Sequence, residues 1–455
     1  MSYFRHLGLK TQNTFEAKQE MKHIVIIGNG ISGVTAARHI RKNSEHKITI
    51  ISSETKHFFS RTALMYVYMG HMKYEHIKPY AVDFWEKNKI ELLFDYVHHI
   101  NSDQKTLSLQ SSEPLHYDQL IIACGSKPNK FGWKGQDLKG VQGLYSWQDL
   151  EQMEENTKGI QRAVIVGGGL IGVEMAEMLL SRGIEVTFLV REKRFWGSVL
   201  PKEEGELISN HIASHHVNLM FQTELESIEA NADGKVSHIT TKNGEIIDCQ
   251  FVGLTAGVSP NIEFLKSSDI HSDRGVLVNE YLQTNVKDVY AIGDCAQFHQ
   301  HPTGRRNIEQ VWYTGKMMGE TVAQSICHQP TKYAPGVWFN SAKFFDIEYQ
   351  TYGLVWAEKK EHEESLYWEN PNGKKCIKLI YNKSTHVFLG VNVFGIRFSH
   401  RVMDDWIKNA ININDVVKHL PQANFDPEFF QNEFKVIQKI LSSQLEEKKI
   451  AYATN

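Results

Sequence analysis

His23-Ile24-Val25-Ile26-Ile27-Gly28-Asn29-Gly30-Ile31-Ser32-Gly33 is the stretch on which the fold turns. An apolar run suited to a buried strand passes directly into Gly-x-Gly-x-x-Gly, and a helix-like segment follows. The first glycine permits a tight turn, the second lets a phosphate reach the backbone, and the third lets helix and strand pack closely. The unpaired N–H groups of the helix's first turn then meet an anion at the favourable end of the helix dipole. The arrangement recurs: Ala163-Val164-Ile165-Val166 precedes Gly167, Gly169, Leu170, Ile171 and Gly172. One copy is weak evidence. Two copies in the same setting predict two dinucleotides on one chain, and electron transfer between them is the economical reason to bind both.

The 455 residues exceed what one core usually serves, so two or three domains are expected. Hydrophobic residues make up 41% and charged residues 23%, as in a globular protein. Fifty basic against fifty-three acidic residues leave a net charge of −3, which offers no general attraction to nucleic acid. No apolar run is long enough to span a bilayer, so no integral membrane segment is expected. Residues 1–20 lack the apolar core of a secretory signal and read as a disordered leader or an over-called start ahead of Met21. Cys124, Cys249, Cys295, Cys327 and Cys376 are far apart in sequence. This excludes a Cys-x-x-Cys pair, a zinc-type cluster or a local iron–sulfur run, and suits reduced thiols in a cytoplasmic protein. The closest histidine pairs, His98-His99, His215-His216 and His299-x-His301, do not set two imidazoles on one helical face beside a third ligand. No metal is expected.

Strand and helix patterns alternate up to about residue 330. Lys47–Ser52 returns beside the first strand, and Gln119–Ala123 leads into Cys124-Gly125-Ser126-Lys127-Pro128. A second unit, opening at Gly167, runs to about Gly257; its second strand is Ile184–Val190, and Asn243-Gly244 marks a hairpin turn. Asp288–Asp294 is another buried strand, ending in an acid, and 308–327 reads as a helix. From about 331 the chain turns aromatic and reads as a separate α+β domain.

The elements Ala123-x-Gly125-x-x-Pro128 and Val289-Tyr290-Ala291-Ile292-Gly293-Asp294, in this order with the two glycine turns, resemble the FAD-dependent pyridine nucleotide-disulfide oxidoreductase superfamily. The resemblance covers about 22–330. It implies an α/β fold of two nested Rossmann-like dinucleotide-binding domains plus a C-terminal α+β domain. The FAD domain is expected at 21–145 and 259–330, the NAD(P)H domain at 146–258 and the interface domain at 331–455. FAD would lie on Gly28, Gly30, Ile31, Ser32 and Gly33, with Ser53 or Glu54 at its ribose, and Ala123, Gly125, Gly293 and Asp294 completing its site. NADPH or NADH would lie on Gly167, Gly169, Leu170, Ile171, Gly172 and Gly257. Arg191 and Arg194, after the strand-end Val190, favour the 2′-phosphate of NADPH, while Glu192 keeps NADH open.

Disulfide reductases of this superfamily carry Cys-x4-Cys after the ribose acid; here Phe58-Phe59-Ser60-Arg61-Thr62-Ala63-Leu64-Met65 contains no cysteine. That stretch resembles the aromatic-x-Arg-x-x-Leu element of rubredoxin and ferredoxin reductases, the nitrite reductase flavin domain and apoptosis-inducing factor. By this resemblance Arg61 would be a fixed cation near the flavin, Glu174 would lie near the nicotinamide, and Glu309 and Trp312 would stand at the flavin's nicotinamide side. The expected function is FAD-dependent NAD(P)H:acceptor oxidoreduction, with hydride passing to flavin and electrons to a ferredoxin- or rubredoxin-type carrier or a small-molecule acceptor. A redox-sensing flavoprotein and an NADH:quinone reductase are the alternatives. Phe339-Asn340-Ser341 departs from the branch's Phe-Trp-Ser, which leaves the acceptor open. Phe429, Phe430, Phe434, Ile437, Ile440 and Leu441 form a helical stripe that would pack on the domain surface or in a homodimer.

Overall fold

The protein is described by a computed structural model covering residues 20–425 and 433–453. The leader, apart from Glu20, and Phe429 and Phe430 of the C-terminal stripe lie outside the described residues.

Three five-stranded sheets carry the architecture. The first orders its strands Val289–Ala291, Gln119–Ile122, His23–Ile27, Lys47–Ser52 and Ile90–Phe94, all parallel. His23–Ile27 is central, with Ile24, Val25 and Ile26 fully buried. A near-continuous run of β-branched residues is what a strand covered on both faces requires. Helix Ile31–Asn43 covers one face and packs against helix Trp312–Cys327. The crossing is close because Gly315 and Gly319 face Ser32: a Cβ at either would lie 2.6 Å from a Ser32 oxygen.

The second sheet repeats the plan, in the order Asn218–Phe221, Glu185–Val190, Arg162–Val166, Phe251–Leu254 and Val141–Gln142. Val141–Gln142 already pairs here, ahead of the boundary expected at residue 146. The expected turn at Asn243-Gly244 joins two strands of a smaller antiparallel sheet, Leu225–Ala230, Val236–Thr241 and Ile246–Asp248. Two antiparallel strands, Ser126–Pro128 and Val258–Pro260, carry the chain between the parallel sheets.

The third sheet is wholly antiparallel: Phe339–Phe344, Ile347–Gly353, Phe388–Phe394, Cys376–Asn382 and Glu363–Glu369. Phe434, Ile437 and Leu441, on helix Phe434–Ala453, are buried in this domain's own core, so that part of the stripe is spent within the chain. The expected helix over 308–327 begins only at Trp312, because Val311 is extended and Glu309 is drawn into a buried polar cluster. Among the described residues no helix is long and apolar enough to cross a membrane.

Candidate functional site

In each parallel sheet the strand order reverses beside the glycine turn, opening a crevice at the carboxyl ends of the strands. Gly28 and Gly167 adopt φ of +111° and +115°, and a Cβ would lie 2.1 Å from the Ala123 carbonyl oxygen or 2.8 Å from that of Thr255. Only glycine fits both demands. A Cβ on Gly30 or Gly169, in contrast, would meet nothing within 4 Å. Both glycines open onto free space before the first turns of Ile31–Asn43 and Leu170–Leu180, and no side chain caps either helix. Each turn is therefore a cradle that a side chain would fill, with the N–H groups of Ile31, Ser32 and Gly33, or of Leu170, Ile171 and Gly172, unclaimed within the helix. The cradles fit a pyrophosphate. The Ser32 hydroxyl packs against Gly293 and Gly315, so this residue offers its backbone to the turn.

Beside the first crevice one polar chain joins elements far apart in sequence. Arg61 donates to both Glu54 carboxylate oxygens at 2.8 and 2.7 Å, and the Trp147 N–H donates to Glu54 Oε1 at 2.8 Å. Arg61 also donates to the Tyr145 carbonyl and lies 4.5 Å from the Tyr145 ring centre. The Tyr145 hydroxyl donates to Asp294 Oδ2 at 3.1 Å and accepts the Ser126 N–H at 3.0 Å. Gln310 donates to the Ser126 hydroxyl at 2.8 Å. Burial raises the Asp294 carboxyl above its ordinary range, against the pull of Tyr145 and Arg61. Gly125 has φ +68°, and a Cβ there would lie 2.9 Å from the Tyr145 hydroxyl.

Sequence reading missed Tyr145 and Gln310. Tyr145 lies in no motif, and its partners converge only on folding. Arg61, expected as a fixed cation near the flavin, is held by Glu54. Ser53 is exposed.

Glu309 sits in a buried polar cluster. Its carboxylate is buried, accepts from Tyr333 at 3.0 Å and Arg305 at 3.2 Å, and lies 3.3 Å from His301 Nε2. Burial pushes its carboxyl up, but His301, Arg305 and Tyr333 outweigh that and hold it below its usual range. It braces the segment before helix Trp312–Cys327. Trp312 remains 39% exposed, the outermost ring of a series continuing through Tyr313, Phe339 and His400.

At the second crevice Val190 is buried at the strand end and Arg191 is exposed beside Glu192 Oε1, 3.3 Å away. Arg194 departs from expectation. It folds inward, its side chain over the Gly205 position, with Nη2 3.6 Å from Glu358. Glu174, on helix Leu170–Leu180, is pushed up to about 7 by burial, with Glu177 adding to the effect. Gly257 hydrogen-bonds through its carbonyl to the Asn129 N–H at 3.1 Å, where the chain re-crosses toward the first sheet.

Two further groupings form only in the folded chain. Cys124 and Cys295 touch in the folded chain, and that contact, with burial, raises the Cys124 thiol. His211 and His215, overlooked in sequence, stand four residues apart at the end of helix Lys202–Ser214 beside Asp346, so two imidazoles do share a face with a third donor.

Two parallel sheets with open glycine cradles and an antiparallel C-terminal sheet define an α/β oxidoreductase fold built for two dinucleotides. The chain belongs to the pyridine nucleotide-disulphide oxidoreductase family, whose match spans residues 22–319. FAD and NAD(P)H are accordingly the cofactors of the chain. The chain is 26% identical over 391 residues to the assimilatory nitrate reductase electron transfer subunit of Bacillus subtilis, covering 85% of this chain but only 49% of that protein. It is 31% identical over 285 residues to rubredoxin-NAD(+) reductase of Acinetobacter baylyi, covering 61% of this chain and 72% of that protein. The chain thus spans about half the length of the first of these relatives. In fold it resembles the NAD-dependent persulfide reductase of A. fulgidus, with a TM-score of 0.82 at 23% identity over 94% of this chain and 84% of that one.

Proposed function

We propose that the chain is an FAD-dependent NAD(P)H:acceptor oxidoreductase that passes electrons to a small carrier protein of ferredoxin or rubredoxin type without a dithiol relay. The observation that carries this reading is the pair of open, uncapped glycine cradles in one chain, together with the absence of cysteine from 58–65. Bound FAD supplies the chemistry that turns a hydride into electrons an acceptor can take.

The chain's residues hold and orient. The Ile31–Gly33 turn binds the FAD pyrophosphate, Glu54 the ribose edge, and Asp294 with Tyr145 the polar tail between phosphate and ring. Leu170–Gly172 bind the nicotinamide nucleotide, and Arg191, the outward cation after Val190, meets a 2′-phosphate, which favours NADPH. Glu174, titrating near neutrality, lines the nicotinamide side. Exposed Trp312 offers the acceptor a contact. The A. baylyi relative is named for rubredoxin, which supports the choice of carrier. Five cysteines without a disulfide suit the cytoplasm.

Stopped-flow reduction of the purified flavoprotein by NADPH and NADH, followed by mixing with oxidised ferredoxin or rubredoxin, tests the assignment. Fast bleaching followed by fast reoxidation by carrier is expected. Slow bleaching, reoxidation no faster than in air and a change in oligomer size would replace it with a sensing role.

A further inference from the structure

We propose that His211, His215 and Asp346 form a binding site for a divalent transition-metal ion of zinc type, fastening helix Lys202–Ser214 to the C-terminal sheet. Residues four apart on a helix lie on one face, and His211 with the C-cap residue His215 presents two imidazoles from the helix's last turn. Asp346 comes from the other side, in the tight turn between strands Phe339–Phe344 and Ile347–Gly353. The ligand atoms all lie within 4.8 Å of one another, with Asp346 Oδ1 2.8 Å from His211 Nε2 and 3.2 Å from His215 Nε2. Zinc bonds nitrogen and carboxylate oxygen at about 2.0–2.2 Å, and a tetrahedral site then holds its ligand atoms about 3.3 Å apart.

The surroundings hold these groups ready. The His211 side chain is 3% exposed, and its Nε2 makes no aligned hydrogen bond despite the nearby carboxylate oxygen. Phe345, at φ 55°, stacks on the His215 ring at 4.3 Å with the planes 8° apart, which fixes the imidazole's orientation. Lys374 donates to the other Asp346 oxygen at 3.0 Å, turning Oδ1 toward the imidazoles as an outer partner does in a built metal site. His215 and Asp346 are 36% and 54% exposed, which leaves an entry path and room for a water as fourth ligand. The site uses neither dinucleotide cradle, so it stands apart from the functional reading above.

The test uses full-length, tag-free flavoprotein stripped with a chelator, incubated with Zn²⁺ or Co²⁺ and gel-filtered. Metal is counted by mass spectrometry, with the melting temperature followed in parallel. About one zinc per chain, a cobalt spectrum beyond the flavin band and a zinc-dependent rise in melting temperature are expected. His211→Ala should weaken zinc by more than about 100-fold, beyond the 10–100-fold that outer partners cost. Asp346→Asn, at an exposed position, should keep FAD and fold while losing the retained zinc and the melting shift. Wild-type protein that keeps no zinc, or an Asp346→Asn variant with full flavin content and the same zinc content and shift, would overturn the proposal and leave a histidine–aspartate hydrogen-bonded cluster.

Discussion

Replacing Glu204 by glutamine removes a buried carboxyl while keeping its shape, and the structure sets the size of the effect. Glu204 is fully buried on helix Lys202–Ser214 where that helix meets the C-terminal sheet. Its Oε2 accepts from Asn392 at 3.0 Å, its Oε1 has no partner, and nearby Lys378 is held by Glu203 at 2.6 Å. Burial therefore pushes the carboxyl from 4.5 to about 7. Because the folded value lies above the unfolded one, the native protein keeps this proton over a range where the unfolded chain has released it. Stability falls as pH rises through that window, and the loss is complete above about pH 7. At roughly 1.4 kcal/mol per pH unit, the gap from 4.5 to about 7 corresponds to about 3 kcal/mol. Glutamine accepts the same Asn392 hydrogen bond but has no proton to lose. Melting curves of wild type and Glu204→Gln, followed by FAD fluorescence and circular dichroism, should coincide below pH 4.5, draw apart as pH rises to about 7 and stay apart above it, the variant then melting several degrees higher. Glu174 titrates in the same range but is present in both proteins, so it cancels. Parallel pH curves for the two proteins would refute the reasoning.

Other outcomes follow from the cradles and the cysteines. Gly30→Val has open space in the protein itself, so the chain should fold but lose FAD; a yellow variant would contradict the assignment of the first turn. Gly169→Val should stay yellow and lose reduction by both nucleotides by more than about 100-fold, measured in single turnover. Arg191→Glu should raise KM for NADPH about 10–100-fold, the loss of one charge-assisted hydrogen bond, with little change for NADH; equal effects would remove the coenzyme preference. Cys124→Ser should leave kcat within about threefold, since its raised thiol is a poor nucleophile, and Cys295→Ser, at a fully buried position, should do the same. Collapse of turnover in both would instead reveal a relay across that contact.

The sequence by itself was enough for the two glycine turns, the strands that feed them and the missing Cys-x4-Cys, because each depends on residues adjacent in the chain. A strand, a turn with φ near +110° and an uncapped helix are local structure, and local structure is written in spacing and side-chain type. What Glu54, Arg61, Glu309 and Arg194 do was decided only by folding. Glu54 and Arg61 neutralise each other, Glu309 is enclosed by His301, Arg305 and Tyr333, and Arg194 turns inward over Gly205. Tyr145 with Asp294, Cys124 with Cys295, and His211 with Asp346 are pairs far apart in sequence that meet in space. A charge or lone pair acts over a few ångströms, and which groups come within that reach is set by how the sheets are stacked and crossed.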